Sequence, residues 1–197
     1  EEIKAKWPME SIEGWMDRTP QQGLADAFEV LDKDGVAKDW NQASYYTNFR
    51  SGIDYVRNAI YVHRDNRFYS TLVYDSCKYF NSYVIFRKGG NMWYENNMEG
   101  AWGMSKTGYL YKKYIYEQNH LYCDLNTNWC LIHLRLGRSY LNYAESLLRL
   151  IGINEGTTTD LKTAIKYINL VRTTHGGLPA FDENMTLAET WKRYKRE

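Results

Sequence analysis

The feature that most constrains this chain is a pair of helical periods near its C-terminal end. In "LRLGRSYLNYAESLLRL", Leu134 to Leu150, large apolar residues recur at three- and four-residue spacing. In the stretch that follows, Leu161, Ala164, Ile165, Ile168 and Val171 fall on one face. Two helices are therefore predicted, over roughly 131–151 and from Leu161 to Thr174. The turn "GINEGTTTD" joins them, with Asp160 or Thr159 as the cap of the second. "HGGLP" stops that second helix with two glycines and a proline. "TLAE", Thr186 to Glu189, is a capping box that opens a third.

The first of these helices also carries a polar line. Arg135, Arg138, Asn142, Glu145 and Arg149 are spaced by three, four, three and four residues, so they share one stripe. Glu145 and Arg149 can pair across one turn. The stripe is either a charged ligand groove or a polar seam where this helix meets its neighbours and the region of Asn169 and Arg172.

Upstream, the chain alternates short periodic pieces with turns. "TPQQGLADAFEVLD" predicts a helix capped by Thr19, with Pro20 at the first helical position and Leu24, Ala27, Phe28 and Leu31 on one face. It ends at "DKDG", where Gly35 supplies the turn. "WNQASYYTNFRSGIDYVRN" shows no sustained period and reads as a long loop. "RFYSTLVYDS" predicts a strand from Phe68 to Tyr74, with "YVIFRKGG" as its partner. Residues 89–108, rich in Gly and Asn, read as another long loop, and long loops in compact proteins usually carry function.

Composition narrows the function classes. The net charge of +1 provides no basic field for a nucleic-acid backbone. Aromatic residues make up 16% of the chain, with eighteen Tyr and seven Trp. Several of them, Trp15, Trp40, Tyr45, Tyr46, Trp93, Tyr94 and Trp102, lie in non-periodic segments beside Asn, Asp and Arg. Sugar rings pack C–H faces on aromatic rings while such polar side chains bind the hydroxyls. These seven are the candidate ligand-binding residues.

No catalytic or metal site is predicted, and no cofactor. His63, His120, His133 and His175 lack metalloprotease spacing, and Cys77, Cys123 and Cys130 lack metal-ligand spacing. "DLNTNW", from Asp124, fails as a calcium loop because Trp129 stands at its sixth position and Arg135 at its twelfth. Asp65 and Arg67 read as an ion pair that ties a loop to the following strand rather than as acid chemistry. No apolar run reaches the ~20 residues of a membrane span.

The spacing of Leu136, Gly137 and Tyr140 against Ala164, Ile168 and Val171 resembles the paired helices of tetratricopeptide repeats, with a longer linker. The fold class expected is mainly α, a tetratricopeptide-like α,α-superhelix with long irregular loops and a short β-strand pair. Residues 1–128 form the loop-rich part and 129–197 the helical part of a single region, read as a piece of a longer chain.

A closer resemblance rests on motifs in order along the chain. "TPQQGLADAFEVLDKDG", "RDNRFYSTLVYDS", "TGYLYKKYI" and "LRLGRSYLNYAESLLRL" with "AIKYINLVRTTHGGLP" are similar to the running pattern of the SusD/RagB family. The resemblance implies the C-terminal portion of a non-enzymatic lipoprotein on the bacterial outer-membrane cell surface. Such a protein binds a glycan, less often a peptide, and hands it to a SusC-like TonB-dependent transporter. Membrane contact would be only through a lipid anchor outside this chain. It also assigns the polar stripe to the scaffold, as a seam.

Three positions depart from the family pattern. Asn66 stands where it has Pro, Arg138 where it has an acid, and Gly176 where it has Ala. The alternatives to glycan capture are a repeat-type module whose helix grooves bind a protein or peptide, and glycoside hydrolysis.

Overall fold

The computed structural model describes residues 19–54, 58–79, 82–92, 105, 107–113 and 132–197. The described residues are mostly helical, with short antiparallel strand pairs and no closed sheet. The helices are α1 (Gln22–Ala27), α2 (Ser44–Arg50), α3 (Asn66–Thr71), α4 (Leu136–Gly152), α5 (Thr158–Val171) and α6 (Leu187–Tyr194). The strands are β1 (Val30–Leu31), β2 (Ala37–Lys38), β3 (Leu72–Val73), β4 (Lys78–Tyr79), β5 (Ser82–Tyr83) and β6 (Leu110–Tyr111). They pair as β1 with β2, β3 with β6, and β4 with β5.

The helical hairpin at the C-terminal end forms as its period predicts. Ala144, Leu147 and Leu148 of α4 pack on Ala164 and Ile168 of α5. Both alanines are fully buried, so the small side chains sit where the two backbones approach. Leu187, Trp191 and Tyr194 of α6 close the same cluster.

Helix boundaries follow local hydrogen bonding rather than the apolar period. Residues 132–135 are not helical, and α4 starts at Leu136. The cap of α5 is Thr157, whose hydroxyl accepts from the Asp160 N–H while the Asp160 carboxylate accepts from the Thr157 N–H. Asp160 is thus the reciprocal partner and not the cap, because the cap precedes the first helical turn. After Val171 the chain widens into a π-helical turn over Arg172–Gly176. Gly177 ends it at φ +66°, a conformation that suits glycine.

Thr186 and Glu189 form the predicted capping box of α6. Thr157→Ala and Thr186→Ala are each expected to cost about 1 kcal/mol of stability. Urea unfolding would show this as a lower midpoint at unchanged slope.

The first half departs further from the period. Helix α1 begins at Gln22, and its cap Gln21 makes no side-chain bond, so neither Thr19 nor Pro20 plays the predicted part. Its buried residue is Ala25, whereas Leu24 and Ala27 are exposed. The helix stops early enough that Leu31 enters a strand instead. The stretch from Trp40, read as a loop, contains α2.

The predicted strand from Phe68 to Tyr74 is helical up to Thr71, and only Leu72 and Val73 are extended. Asp65 explains the difference. Its carboxylate accepts from the Arg67 N–H at 2.8 Å, capping α3 before the β-branched residues arrive. The partner of β3 is Leu110–Tyr111, not "YVIFRKGG", whose Tyr83 belongs to β5 and pairs with Lys78. Asn66 occupies the first helical position of α3. Proline is favoured there, which accounts for the proline of the family pattern.

Two further cores lie in this half. Ala25, Phe68, Leu72 and Tyr109 form one, and Val73, Tyr79, Val84, Phe86, Met92 and Leu110 the other. The β3–β6 pair contributes adjacent residues to both, so it joins them.

A buried ion-pair cluster ties the halves together. The Arg172 guanidinium, 2% exposed, lies 2.6 Å from both Glu29 and Glu197. It also donates to the Pro179 carbonyl at 2.7 Å and lies over the Phe181 ring. The second carboxylate oxygen of Glu197 is 2.6 Å from Arg67, which in turn holds Asp65. One network therefore links the segment after α1, the cap of α3, the end of α5 and the last residue. The pair Asp65–Arg67 binds a helix cap to the C-terminal segment rather than a loop to a strand. A Cβ on Gly176 would sit 3.1 Å from Asp65 and 3.2 Å from Arg67, so the glycine gives this cluster its room.

Candidate functional site

Above these cores, α1, α2 and the segments around Tyr61, Phe86 and Tyr109 surround a cavity of about 800 Å³. Trp40 lines it, with Phe49 from α2 and the buried rings of Phe86 and Tyr109. Polar groups share the wall: Asp26, Asn58, Asp75 and Arg87. A volume of this size fits a small ligand, and a few fixed polar groups among apolar walls are what such sites require.

The aromatic wall is held by one buried carboxylate. Asp32, 4% exposed, accepts from the Ser44 N–H, the Ser44 hydroxyl, the Lys33 N–H and the Lys38 ammonium. Ser44 opens α2, so Asp32 supplies that helix with the cap its own Ala43 lacks. Lys38 bridges Asp32 and Asp34 and occupies the place a cation would take between them.

Burial alone would raise the Asp32 pKa, but the bonds from Lys38 and Ser44 outweigh it and hold the carboxyl well below its ordinary 3.8. A folded pKa below the unfolded one contributes stability above the unfolded value, which is lost as pH falls through the folded one. Asp32→Asn is therefore expected to lower stability at neutral pH by about 1.5–3 kcal/mol. It should also flatten the acid limb of a thermal-melting profile taken below pH 4.

Trp40 is fixed on one edge and lines the cavity. Its indole N–H donates to Asp26 at 2.7 Å, and Tyr46 meets the ring edge-on at a centroid distance of 4.9 Å. Gln22 donates to the same Asp26 oxygen, so α1 and the indole are joined through one carboxylate. Tyr45, which precedes Tyr46 on α2, does not line the cavity. It stacks on His63 at 4.6 Å, with the Lys33 ammonium 5.3 Å from its ring centre. Adjacent helical residues do not share a face, so of the predicted pair only Tyr46 supports Trp40.

Trp15, Trp93, Tyr94 and Trp102 lie outside the described residues, as does the "DLNTNW" turn. Phe49, Tyr61, Phe86 and Tyr109 were not among the predicted site residues. Phe49 could have been found from its spacing to Tyr45 and Tyr46 once the segment is read as a helix. The other three are brought in by strand and turn geometry and leave no local signal.

Beneath the cavity, Arg64 is 5% exposed and donates to the carbonyls of Ile60 and Ala25. Its guanidinium lies over Phe68, 4.7 Å from the ring centre. Burial raises the Tyr61 phenol far above its ordinary range, with the neighbouring Tyr109 adding to the effect, so Tyr61 stays neutral. At the rim, Asp75 pairs with Arg87 and accepts from the Phe86 N–H at 2.7 Å.

The polar stripe of α4 is only partly a seam. Glu145 accepts from Arg149 at 2.6 Å and from the Tyr194 hydroxyl of α6 at 2.7 Å. It does not reach Asn169, whose amide instead holds both the N–H and the carbonyl of Phe181. Arg135, Arg138, Asn142 and Arg149 are exposed.

The SusD family model matches residues 4–188, which is most of the chain. The chain belongs to the SusD family. This family is known for glycan-binding proteins of the outer-membrane surface, and it is a binding family rather than a catalytic one. No curated protein and no solved structure matches the chain significantly. Among the described residues, no helix is long and apolar enough to cross a membrane. Also among the described residues, no group of three His, Cys, Asp or Glu side chains could hold a metal ion.

Proposed function

We propose that this SusD-family chain captures a glycan non-catalytically in the cavity beside Trp40. The protein would then hand the glycan to a SusC-like TonB-dependent transporter at the cell surface, with the full-length protein held there by a lipid anchor. The observation that carries the reading is the indole of Trp40, fixed by Asp26 and Tyr46 at the wall of a cavity that also presents Asn58, Asp75 and Arg87.

A sugar has an apolar face and a ring of hydroxyls that both donate and accept. A fixed indole takes the first, and carboxylate, amide and guanidinium groups set side by side take the second. Ring fixation matters because a preformed platform loses little entropy when the ligand arrives.

The reading is tested on a glycan array followed by calorimetry with the best ligand. Saturable binding of an oligosaccharide, with no release of reducing ends on prolonged incubation, is the expected result. Binding to no glycan, or steady release of reducing ends, would overturn it.

A further inference from the structure

A second cleft, of about 970 Å³, lies away from Trp40, between α1 and α3 on one side and α4 and the end of α5 on the other. Its chemistry differs from that of the first. The apolar part is mostly aliphatic, with Phe28 and Tyr140 also in the lining, and Leu24, Leu136 and Leu170 are all more than a third exposed there. The charged part is basic and includes Arg138.

The one carboxylate that lines this cleft, Glu197, is buried, with one oxygen on Arg172 and the other on Arg67. Arg67 and Arg196 are balanced by Asp65, Glu197, Asp39 and Glu29. Arg138 has no such balance. It makes no ion pair or side-chain hydrogen bond among the described residues, and Glu145, whose carboxylate its charge reaches, is already bonded to Arg149 and Tyr194. This is the position where the chain carries a base in place of the family's acid.

We propose that the cleft is a docking site for an acidic, aliphatic-rich polypeptide segment of a partner protein. Exposed leucines bury aliphatic side chains, and an unbalanced guanidinium takes a carboxylate. The hydroxyls of Ser70, Thr71 and Thr174 also line the cleft, so an acidic sugar is the competing occupant that the test must separate from the polypeptide. This site does not depend on the glycan reading of the Trp40 cavity, and either can fail without the other.

The test is fluorescence anisotropy of the whole protein with a labelled peptide of alternating Asp and Leu, at low and high salt. The same peptide with Lys for Asp, and polygalacturonate as competitor, serve as comparisons. Variants are Arg138→Glu in the cleft and Lys162→Glu on the exposed surface of α5 as a charge control. The expected result is binding of the acidic peptide that weakens with salt, falls at least about tenfold in Arg138→Glu and is unchanged in Lys162→Glu. No binding, equal loss in both variants, equal binding of the Lys peptide, or displacement by polygalacturonate would each overturn the proposal.

Discussion

Arg172→Ala is expected to destabilise the protein by about 3–5 kcal/mol, the range for removing one partner of a buried ion pair. The guanidinium lies within 2.6 Å of two carboxylates that are themselves almost fully buried, Glu29 and Glu197. Without it Glu29 keeps, among the described residues, the partly exposed Arg193 and Arg196, at 3.2 and 3.7 Å. Glu197 keeps Arg67. The Pro179 carbonyl and the face of Phe181 also lose their partner. Urea unfolding measures the loss directly.

A second variant separates charge from packing. Arg172→Met keeps the stem but not the charge, and it should recover little of the loss, because the cost arises from the orphaned acids. Removing one of the acids together with the base, as in Glu29→Gln with Arg172→Met, should recover more than the sum of the single variants allows. Residues in one network are not additive.

Trp40→Ala is expected to weaken glycan binding by about 2 kcal/mol, close to thirtyfold in Kd, as truncation of an aromatic anchor at a binding hot spot does. The fold should persist, because Trp40 is only half-buried and does not belong to the buried cores. Trp40→Phe divides the effect. It keeps an aromatic face but loses the indole N–H that donates to Asp26, so it should retain part of the affinity. Tyr45→Ala serves as the internal control, since its ring stacks on His63 and does not line the cavity.

What could be read from residues alone follows a physical division. The α4–α5 hairpin is legible because its stability is a face of apolar side chains repeating on one helix, and the repeat is local. The capping box of α6 is legible for the same reason, being a contact across one turn, whereas the cap of α5 falls on Thr157, ahead of the expected Thr159 or Asp160. The helix α3 was missed because one carboxylate, Asp65, decides between helix and strand, and the β-branched residues after it argue the other way.

The ion cluster around Arg172 was invisible. Its members are separated by as many as 168 residues, from Glu29 to Glu197, and no spacing rule connects them. In the candidate site, Trp40 could be singled out by its position outside any period. That Asp32 would fix α2 from twelve residues away, and that Tyr45 would not line the cavity while Tyr46 supports Trp40, required the fold.

The central claim is that Trp40 is the surface on which a glycan lands. A nitrogen-15 correlation spectrum resolves one indole N–H signal for each of the seven tryptophans, and the Trp40 signal is assigned by its loss in Trp40→Phe. Titration with an oligosaccharide that the protein binds is predicted to shift the Trp40 signal in step with occupancy. Saturable binding that leaves that signal in place would contradict the account.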